Sequence, residues 1–303
     1  MKKLLLSLML VPLFGNSQIF QDSFETYTNF AITGVGSWTL RDIDLLPTYG
    51  FGGGTTFLNS GLAKSFQVFS PTAVTPPLTV APYDPAGPTG SDWTAKTGTK
   101  SMVCFAAVPT AAKPNNNDWL ISPQITLGTV NTISFWAKAC DGPYAAEKFK
   151  VGISSTGTLP ANFTVLSGAS PIVTALDLTW NQYTYNIPAS FNNQPVYISI
   201  NCLSDDQFGF AVDDFKVNGT LSNDSFFRNN FTVSPNPMND VVNITKNNSL
   251  EITAATITDI NGRVVKQVNN NVESINVADL NAGVYFLKVA TAEGFGTTKL
   301  IKN

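Results

Sequence analysis

The residues of this sequence that are best suited to catalysis are two pairs of adjacent carboxylates, Asp205-Asp206 and Asp213-Asp214. Two acids that flank one glycosidic bond can hydrolyse it, one as general acid and the other as nucleophile or base. Neighbouring residues of a β-strand, however, point to opposite faces of the sheet. Neither pair can flank a single bond from a strand, and we interpret both pairs as turn or metal residues.

Histidine is absent from the 303 residues. Its absence excludes Ser-His-Asp and Cys-His nucleophilic sites, histidine general bases and zinc sites with histidine ligands. The three cysteines, Cys104, Cys140 and Cys202, have the spacing of neither a disulfide framework nor a zinc knuckle. Cys202 follows Ile198 and Ile200 at a period of two, as on the apolar face of a strand. We predict buried free thiols, and one internal disulfide is the alternative.

Asp213 points to a different kind of chemistry, the binding of a metal ion. It falls on the same predicted strand face as Phe215 and Val217, and a buried carboxylate needs a cation or several hydrogen-bond donors. Calcium, with about six to eight oxygen ligands, would satisfy it. The four ligands that we expect for a structural calcium are Glu25, Asp42, Asp44 and Asp213. The alternative is that Asp213 accepts only backbone hydrogen bonds, or that a β-bulge breaks the alternation.

Residues 47–93 are rich in glycine, proline, threonine and serine, which predicts a long loop. Long loops in compact domains are often functional, and aromatic rings in them can stack on sugars or grip a peptide. The candidate ligand-binding aromatic residues in or beside such turns are Tyr49, Phe51, Tyr83, Trp93 and Tyr144. We predict that this loop binds the ligand and can be removed without unfolding, unless residues 65–69 form a strand of the sheet. The alternative for each ring is that it only anchors the loop.

The elements that must position these residues are strands, because apolar residues recur at a period of two and helical periodicity is not sustained. Beyond the loop, the predicted strands are residues 101–108, 119–121, 133–139, 149–154, 180–187, 196–201 and 210–217. Many short strands separated by turn residues indicate a two-sheet sandwich of the jelly-roll type. The predicted core is dominated by Phe135, Ile153, Tyr185, Ile198 and Val212.

Residues 21–217 resemble the cleaved-adhesin, or choice-of-anchor J, family of surface proteins. The motifs that carry the resemblance are, in order, DSFE, GSWTL, RDID, WTAKTGTKSMVCFAA, NDWLISPQI, ISFWAKA, FKVGISSTG, WNQYTYNIPA, PVYISINC and FGFAVDDFKV. The resemblance implies an adhesin-like domain and supports a structural calcium near Asp213. The sequence departs from the family after Trp38, where relatives tend to carry a compact Asp/Gly-rich segment instead of Asp42-Ile43-Asp44 and a long loop.

Residues 231–303 form a second pattern of short strands with turn residues between them, which predicts a small immunoglobulin-like sandwich. The motifs FTVSPNPMNDVVNI, ITDINGRVVK, INVADLNAGVYFLKV and TTKLIKN resemble the type A C-terminal sorting domain of the type IX secretion system of Bacteroidetes. The positions that match its sorting signal are Pro235, Asn236, Pro237, Gly262, Gly283, Tyr285, Lys299 and Lys302. The resemblance implies recognition by that secretion machinery.

The first 17 residues carry Lys2 and Lys3, a short apolar run and small residues, a pattern typical of a secretory signal peptide. We therefore divide the chain into a signal peptide (1–17), an adhesin-like jelly roll (18–219), a linker (220–230) and a sorting domain (231–303). The net charge of −3 and the lack of another long apolar run argue against nucleic-acid binding and a membrane span.

Together these features predict an all-β, non-catalytic, adhesin-like protein that is secreted, or carried to the outer cell surface, through the periplasm. Its expected partner, apart from the secretion machinery, is a glycan or a surface protein. Two alternatives stay open, an accessory subunit of a surface complex and a carboxylate-based hydrolase. Cleavage of the tail is expected in the polar segment 218–230.

Overall fold

The computed structural model describes residues 17–220, 223–247, 249–269, 272–292 and 294–303. The predicted signal peptide, except Ser17, lies outside the described residues. Residues Gln18–Gly219 form one compact unit and the chain from Thr220 onward belongs to another. Each unit is a β-sandwich, so the predicted fold class is confirmed.

The first unit is built from fifteen described strands that alternate with turns. Their bounds are β1 (Ser17–Asp22), β2 (Thr39–Asp42), β3 (Phe66–Phe69), β4 (Ala81–Asp84), β5 (Thr89–Ser91), β6 (Ser101–Phe105), β7 (Asp118–Ile121), β8 (Ile125–Thr126), β9 (Thr129–Ala139), β10 (Lys148–Ser154), β11 (Thr164–Val165), β12 (Ile172–Val173), β13 (Asn181–Asn186), β14 (Pro195–Cys202) and β15 (Gly209–Thr220). Short 3-10 turns occupy Pro71–Ala73, Pro160–Asn162 and Ala189–Phe191.

Two sheets face each other in this unit. One has the order β13-β9-β15-β6-β3 with β1 beside β15, and the other has the order β11-β10-β14-β7-β2 with β12 beside β10 and β8 beside β14. The core between them contains Phe135, Ile153, Ile198 and Val212, each 0% exposed, with Tyr185 packed at its edge. The core predicted from alternation is therefore observed, because a strand that buries one face repeats its apolar residues every second position.

The structure corrects the prediction that residues 47–93 are a removable loop. Within that segment, β3 pairs with β6 at the edge of a sheet, and all four residues of β3 are buried. Deleting the segment would remove Phe66 and Val68 from the core. The segment also contains the small, mostly exposed β4–β5 hairpin, whose two strands pair with each other.

The second unit contains a helix and seven described strands. They are α1 (Asn223–Asn230), β16 (Phe231–Ser234), β17 (Val241–Lys246), β18 (Ile252–Asp259), β19 (Val264–Val268), β20 (Ser274–Asn276), β21 (Gly283–Thr291) and β22 (Gly294–Lys302). A sheet ordered β16-β17-β20 and a sheet ordered β19-β18-β21-β22 enclose the core.

Helix α1 contradicts the prediction of a polar linker over 220–230. Phe226 and Phe227 of this helix are 3% and 4% exposed and join the core of the second unit. Their rings lie 6.2 and 5.7 Å from the ring of Phe231. The described part of the predicted linker is thus mostly a packed element of the second sandwich.

The three cysteines are free and buried, as predicted. Within the described ranges, no helix combines the length and apolar character that a bilayer crossing requires.

Candidate functional site

The predicted calcium ligands Glu25 and Asp213 lie at opposite ends of one turn, residues 96–100. Their carboxylate oxygens accept hydrogen bonds from the backbone of that turn. Asp213 Oδ2 accepts hydrogen bonds from the backbone N–H groups of Lys96 (2.8 Å) and Thr97 (3.2 Å). Glu25 Oε1 accepts from the N–H groups of Thr99 (2.9 Å) and Lys100 (2.7 Å). Both carboxylates therefore fix the backbone of this turn.

Asp213 is buried as predicted, but the alternation of the strand is interrupted beside it. Phe215 and Val217 face the core, but so do Phe210 and Val212, so the pattern shifts by one residue between them. Asp214 has a φ of +47° at this shift, and its N–H donates to Asp213 Oδ1 at 2.7 Å. Burial raises the pKa of Asp213 to about 7. The alternative of backbone hydrogen bonds and a broken alternation is what the structure shows.

Asp42 and Asp44, the other two predicted ligands, form a separate cluster with Asp118. One carboxylate oxygen from each lies within 4.8 Å of the others. Asp42 and Asp118 are directly paired across β2 and β7, while Asp44 follows β2. The structure therefore divides the predicted calcium set into two places and adds Asp118, a candidate ligand that the sequence argument missed.

Asp118 lacks what a buried carboxylate needs. It is 1% exposed, and its Oδ2 accepts from Asn116 Nδ2 at 2.7 Å, whereas Oδ1 has no hydrogen-bond partner among the described residues. Burial, and next the charge of Asp44, raise the pKa of Asp118 well above its ordinary value. A bound cation would supply the missing partner and offset the repulsion between the carboxylates.

The acidic cluster borders a cavity on its Asp44 side, whereas Asp42 and Asp118 do not line that cavity. An open cavity of about 380 Å³ is lined by Asp44, Lys113 and residues 114–117. The Lys113 ammonium is directed to the backbone oxygen of Asp44, and the buried Lys64 ammonium donates to Thr48 Oγ1 and the oxygen of Asn59. The carboxylates and backbone oxygens here are the oxygen ligands that hard cations take. The cluster could therefore bind a metal ion.

The predicted ligand-binding aromatic residues do not form one surface. Trp93 is 3% exposed and stacks on Phe105 at 5.5 Å, and the half-buried ring of Phe51 packs edge-on against Trp93 at 4.8 Å. Both rings belong to a second apolar cluster of the first unit. For these two residues, anchoring of the loop is the function that the structure shows.

The three tyrosines keep some exposure. Tyr144 is 49% exposed and Tyr49 is half-buried. Burial, and next the nearby Asp206 and Tyr144, raise the pKa of the Tyr49 hydroxyl. The side chains of Tyr49, Asp206 and Tyr144 are therefore neighbours. Tyr83, on β4, lies instead beside a cavity that also contains Trp180. Trp180 was not among the predicted ligand-binding residues.

The residues of the predicted sorting signal shape the second sandwich. Asn236 joins the Pro-Asn-Pro segment to the last strand, because its Nδ2 donates to Lys299 O (3.0 Å) and its Oδ1 accepts from Ile301 N (2.9 Å). Gly262 turns the β18–β19 hairpin with a φ of +79°, which favours glycine. Tyr285, in β21 two residues after Gly283, donates its hydroxyl to Asn281 O at 2.8 Å.

The last strand presents its two predicted basic residues differently. Lys299 is exposed and Lys302 is half-buried, and both lie in β22. Pro235 and Pro237 are exposed and follow cis peptide bonds. The Pro-Asn-Pro segment and the basic strand are thus adjacent parts of one surface.

Comparison with known proteins gives two family matches. Residues 86–190 match the Cleaved Adhesin Domain, and residues 232–303 match the Secretion system C-terminal sorting domain. An alignment 125 positions long, which covers 33% of this chain, shows 30% identity to Hemagglutinin A of Porphyromonas gingivalis and likewise to Lys-gingipain W83 of that organism. The matched region spans 6% and 7% of those proteins.

Among solved structures, the K3 cleaved adhesin domain of Lys-gingipain from Porphyromonas gingivalis is 21% identical to this chain. The alignment covers 68% of this chain and 99% of that domain, with a TM-score of 0.43.

Proposed function

We propose that this chain, which carries a cleaved adhesin domain and a C-terminal sorting domain, is an adhesin-like binding protein exported by the type IX secretion system. The observation that carries the proposal is the order of the two matches, an adhesin domain at 86–190 followed by a sorting domain at 232–303. The sorting domain directs the protein to the cell surface or the outside. The first unit then binds a glycan or a surface protein.

The proposal assigns no catalytic step to the first unit. Asp205 and Asp206 are exposed in a bend, and Asp213 is enclosed by backbone N–H groups. Asp213 therefore does not share an open site with Asp214, which lines a different cavity beside Asp22. The support for binding, rather than turnover, is the adhesin-domain match together with this geometry.

A structural calcium is part of the proposal, at Asp42, Asp44 and Asp118. The three carboxylates are close enough to share one ion. Asp118 Oδ1 has no hydrogen-bond donor among the described residues, and a cation would take the place of that donor. Calcium suits this cluster because its ligands are oxygen atoms, which the three carboxylates supply without histidine or thiolate. Its function there is to fix the segment that follows β2 against β7.

Binding and export are tested separately. The full chain, purified from the producing cells, should bind erythrocytes or immobilised glycans, as the name of the relative Hemagglutinin A suggests for that protein. Deleting residues 283–303 should leave the protein in the periplasm. If the folded chain binds neither erythrocytes nor immobilised glycans, the adhesin proposal is refuted. If the shortened chain is exported normally, the proposed function of the tail is refuted.

A further inference from the structure

A cavity of about 380 Å³ lies in the first unit between the β4–β5 hairpin and the segment that leads into β13. Its size is within the range of about 300–1,000 Å³ that is usual for small-molecule sites. The side chains that give it its chemistry are Tyr83, Asp92, Lys96, Asp177, Thr179 and Trp180. Two aromatic rings and several hydrogen-bonding groups therefore meet in one place.

Trp180 is held in position by the protein. Its Nε1 donates to the backbone oxygen of Thr94 at 3.2 Å, and the Lys138 ammonium lies 5.1 Å from its ring centroid. Lys138 is itself fully buried and forms an ion pair with Asp92 at 2.9 Å. Trp180 is nevertheless only half-buried and lines the cavity. A ring fixed before the ligand arrives loses little freedom on binding.

Asp177 supplies a hydrogen-bond acceptor at the mouth of the cavity. Its Oδ1 accepts from the Thr179 hydroxyl (2.7 Å) and the Thr179 N–H (3.1 Å), and these bonds lower the pKa of Asp177. The side chain is exposed. An ionised carboxylate fixed in this way makes strong hydrogen bonds with hydroxyl groups.

The charges around the cavity are balanced. Asp92 is paired with Lys138, and the exposed Lys96 adds a positive charge to a lining that also contains Asp177. With Asp92 neutralised by the buried Lys138, the lining keeps one charge of each sign, Asp177 and Lys96. A neutral ligand rich in hydroxyl groups fits this arrangement best.

The outer face of the sheet extends the site beyond the cavity. Tyr183 of β13 turns its ring towards Phe149 in the core, so Gln182 lies on the opposite, outer face. Gln182 is paired with Trp136 of β9, and the Lys96 ammonium lies 3.9 Å from the Trp136 ring centroid. A second sugar unit would find a second ring and a polar side chain next to the first.

From this geometry we propose that the cavity binds a neutral pyranose unit of a glycan, with the apolar face of the sugar on Trp180 and its hydroxyl groups on Asp177. The inference rests on the proposed binding function and adds the ligand class and the contacting residues. Tyr83 closes the side formed by the hairpin. Trp136 and Gln182 contact the next unit of the chain.

The test measures binding of the full chain to neutral oligosaccharides of glucose, galactose, mannose and xylose by isothermal titration calorimetry. A galacturonate oligosaccharide serves as the anionic comparison. We expect at least one neutral oligosaccharide to bind and the galacturonate to bind at least tenfold more weakly. Trp180→Ala should lower the affinity at least tenfold, and Asp177→Asn at least threefold.

Two further variants separate binding from folding. Leu159→Ala changes an apolar residue that is 58% exposed and does not line the cavity, and it should bind like the parent. Trp180→Phe keeps an aromatic ring and should retain affinity within about fivefold. Circular dichroism establishes that each variant is folded. If Trp180→Ala unfolds, unchanged affinity in Asp177→Asn would overturn the assignment.

The possible failures are distinguishable. A folded chain that binds erythrocytes but none of the neutral oligosaccharides would overturn the sugar site and leave the adhesin function standing. A chain that binds neither would overturn the proposed function itself. Preference for galacturonate, or full affinity in a folded Trp180→Ala variant, would also refute the neutral-sugar site.

Discussion

Replacing Glu147 with glutamine should make the stability of the first unit less dependent on pH. Glu147 is 2% exposed and accepts hydrogen bonds from the Ser204 hydroxyl and from the N–H of Phe208 at 3.2 Å. Burial raises its pKa from 4.5 to about 7, because the ionised form loses its hydration there. The folded protein therefore keeps this proton at pH values where the unfolded chain has released it.

The sign and size of the effect follow from linkage. Because the raised pKa belongs to the folded state, the stabilisation by protonated Glu147 is complete below pH 4.5 and is lost as pH rises to about 7. Each pKa unit corresponds to about 1.4 kcal/mol, so the free energy of unfolding should fall by about 3 kcal/mol across this window. Glutamine cannot ionise and removes this component.

Tryptophan fluorescence is a suitable measurement, since all five tryptophans lie in the first unit. Urea unfolding would be followed at pH 5, 6, 7 and 8 with chelator present, for the parent, Glu147→Gln and the control Asp205→Asn, an exposed carboxylate. The free energy of unfolding of Glu147→Gln, relative to that of the parent, should rise by about 2.5 kcal/mol between pH 5 and pH 8. Parallel pH curves for the two proteins would refute the reasoning.

Three other outcomes are expected. Calcium at 100 times its dissociation constant should stabilise the first unit by about 2.7 kcal/mol, as measured by thermal unfolding. Asp118→Asn should abolish that gain. An unchanged melting curve of the parent with chelator present would contradict the site. Replacing Lys299 and Lys302 with alanine should reduce the surface fraction of the protein, whereas Arg263→Ala, whose side chain is 80% exposed, should be exported normally. Phe226→Ala should destabilise the second unit by about 3–5 kcal/mol, measured by circular dichroism, and a loss below about 1 kcal/mol would show that helix α1 is dispensable.

Strands were the part of the fold that the sequence predicted well. Residues 149–154 and 133–139 were predicted as strands, and the structure has them as Lys148–Ser154 and Thr129–Ala139. These strands bury one face, so their apolar residues repeat every second position and are visible in a single sequence. The aromatic core residue Phe135 follows from the same pattern.

Helix α1 could not be predicted by this reasoning. Its sequence, NDSFFRNN, contains two adjacent apolar residues and no helical repeat. Helices this short gain most of their stability from tertiary packing rather than from intrinsic propensity. Here Phe226 and Phe227 insert into the core of the second unit, and the polar residues around them resemble those of a linker.

Asp118 was missed although it carried the same signal that drew attention to Asp213. In NDWLISP it alternates with Leu120, so the sequence already places a carboxylate on the side of a buried leucine. What the sequence does not contain is the register that pairs β2 with β7 and brings Asp42 opposite Asp118.

The two groups of acids show why burial of a carboxylate alone does not predict a metal site. Asp213 is fully buried, and backbone N–H groups of a turn and of Asp214 donate hydrogen bonds to both of its carboxylate oxygens. Asp118 is equally buried, but its neighbours across the strands are other carboxylates, and one of its oxygens lacks a donor. The number of available N–H donors, which depends on the local backbone, distinguishes the two. A metal ion is therefore expected where strand pairing brings several carboxylates together and the backbone offers too few N–H donors for their oxygens.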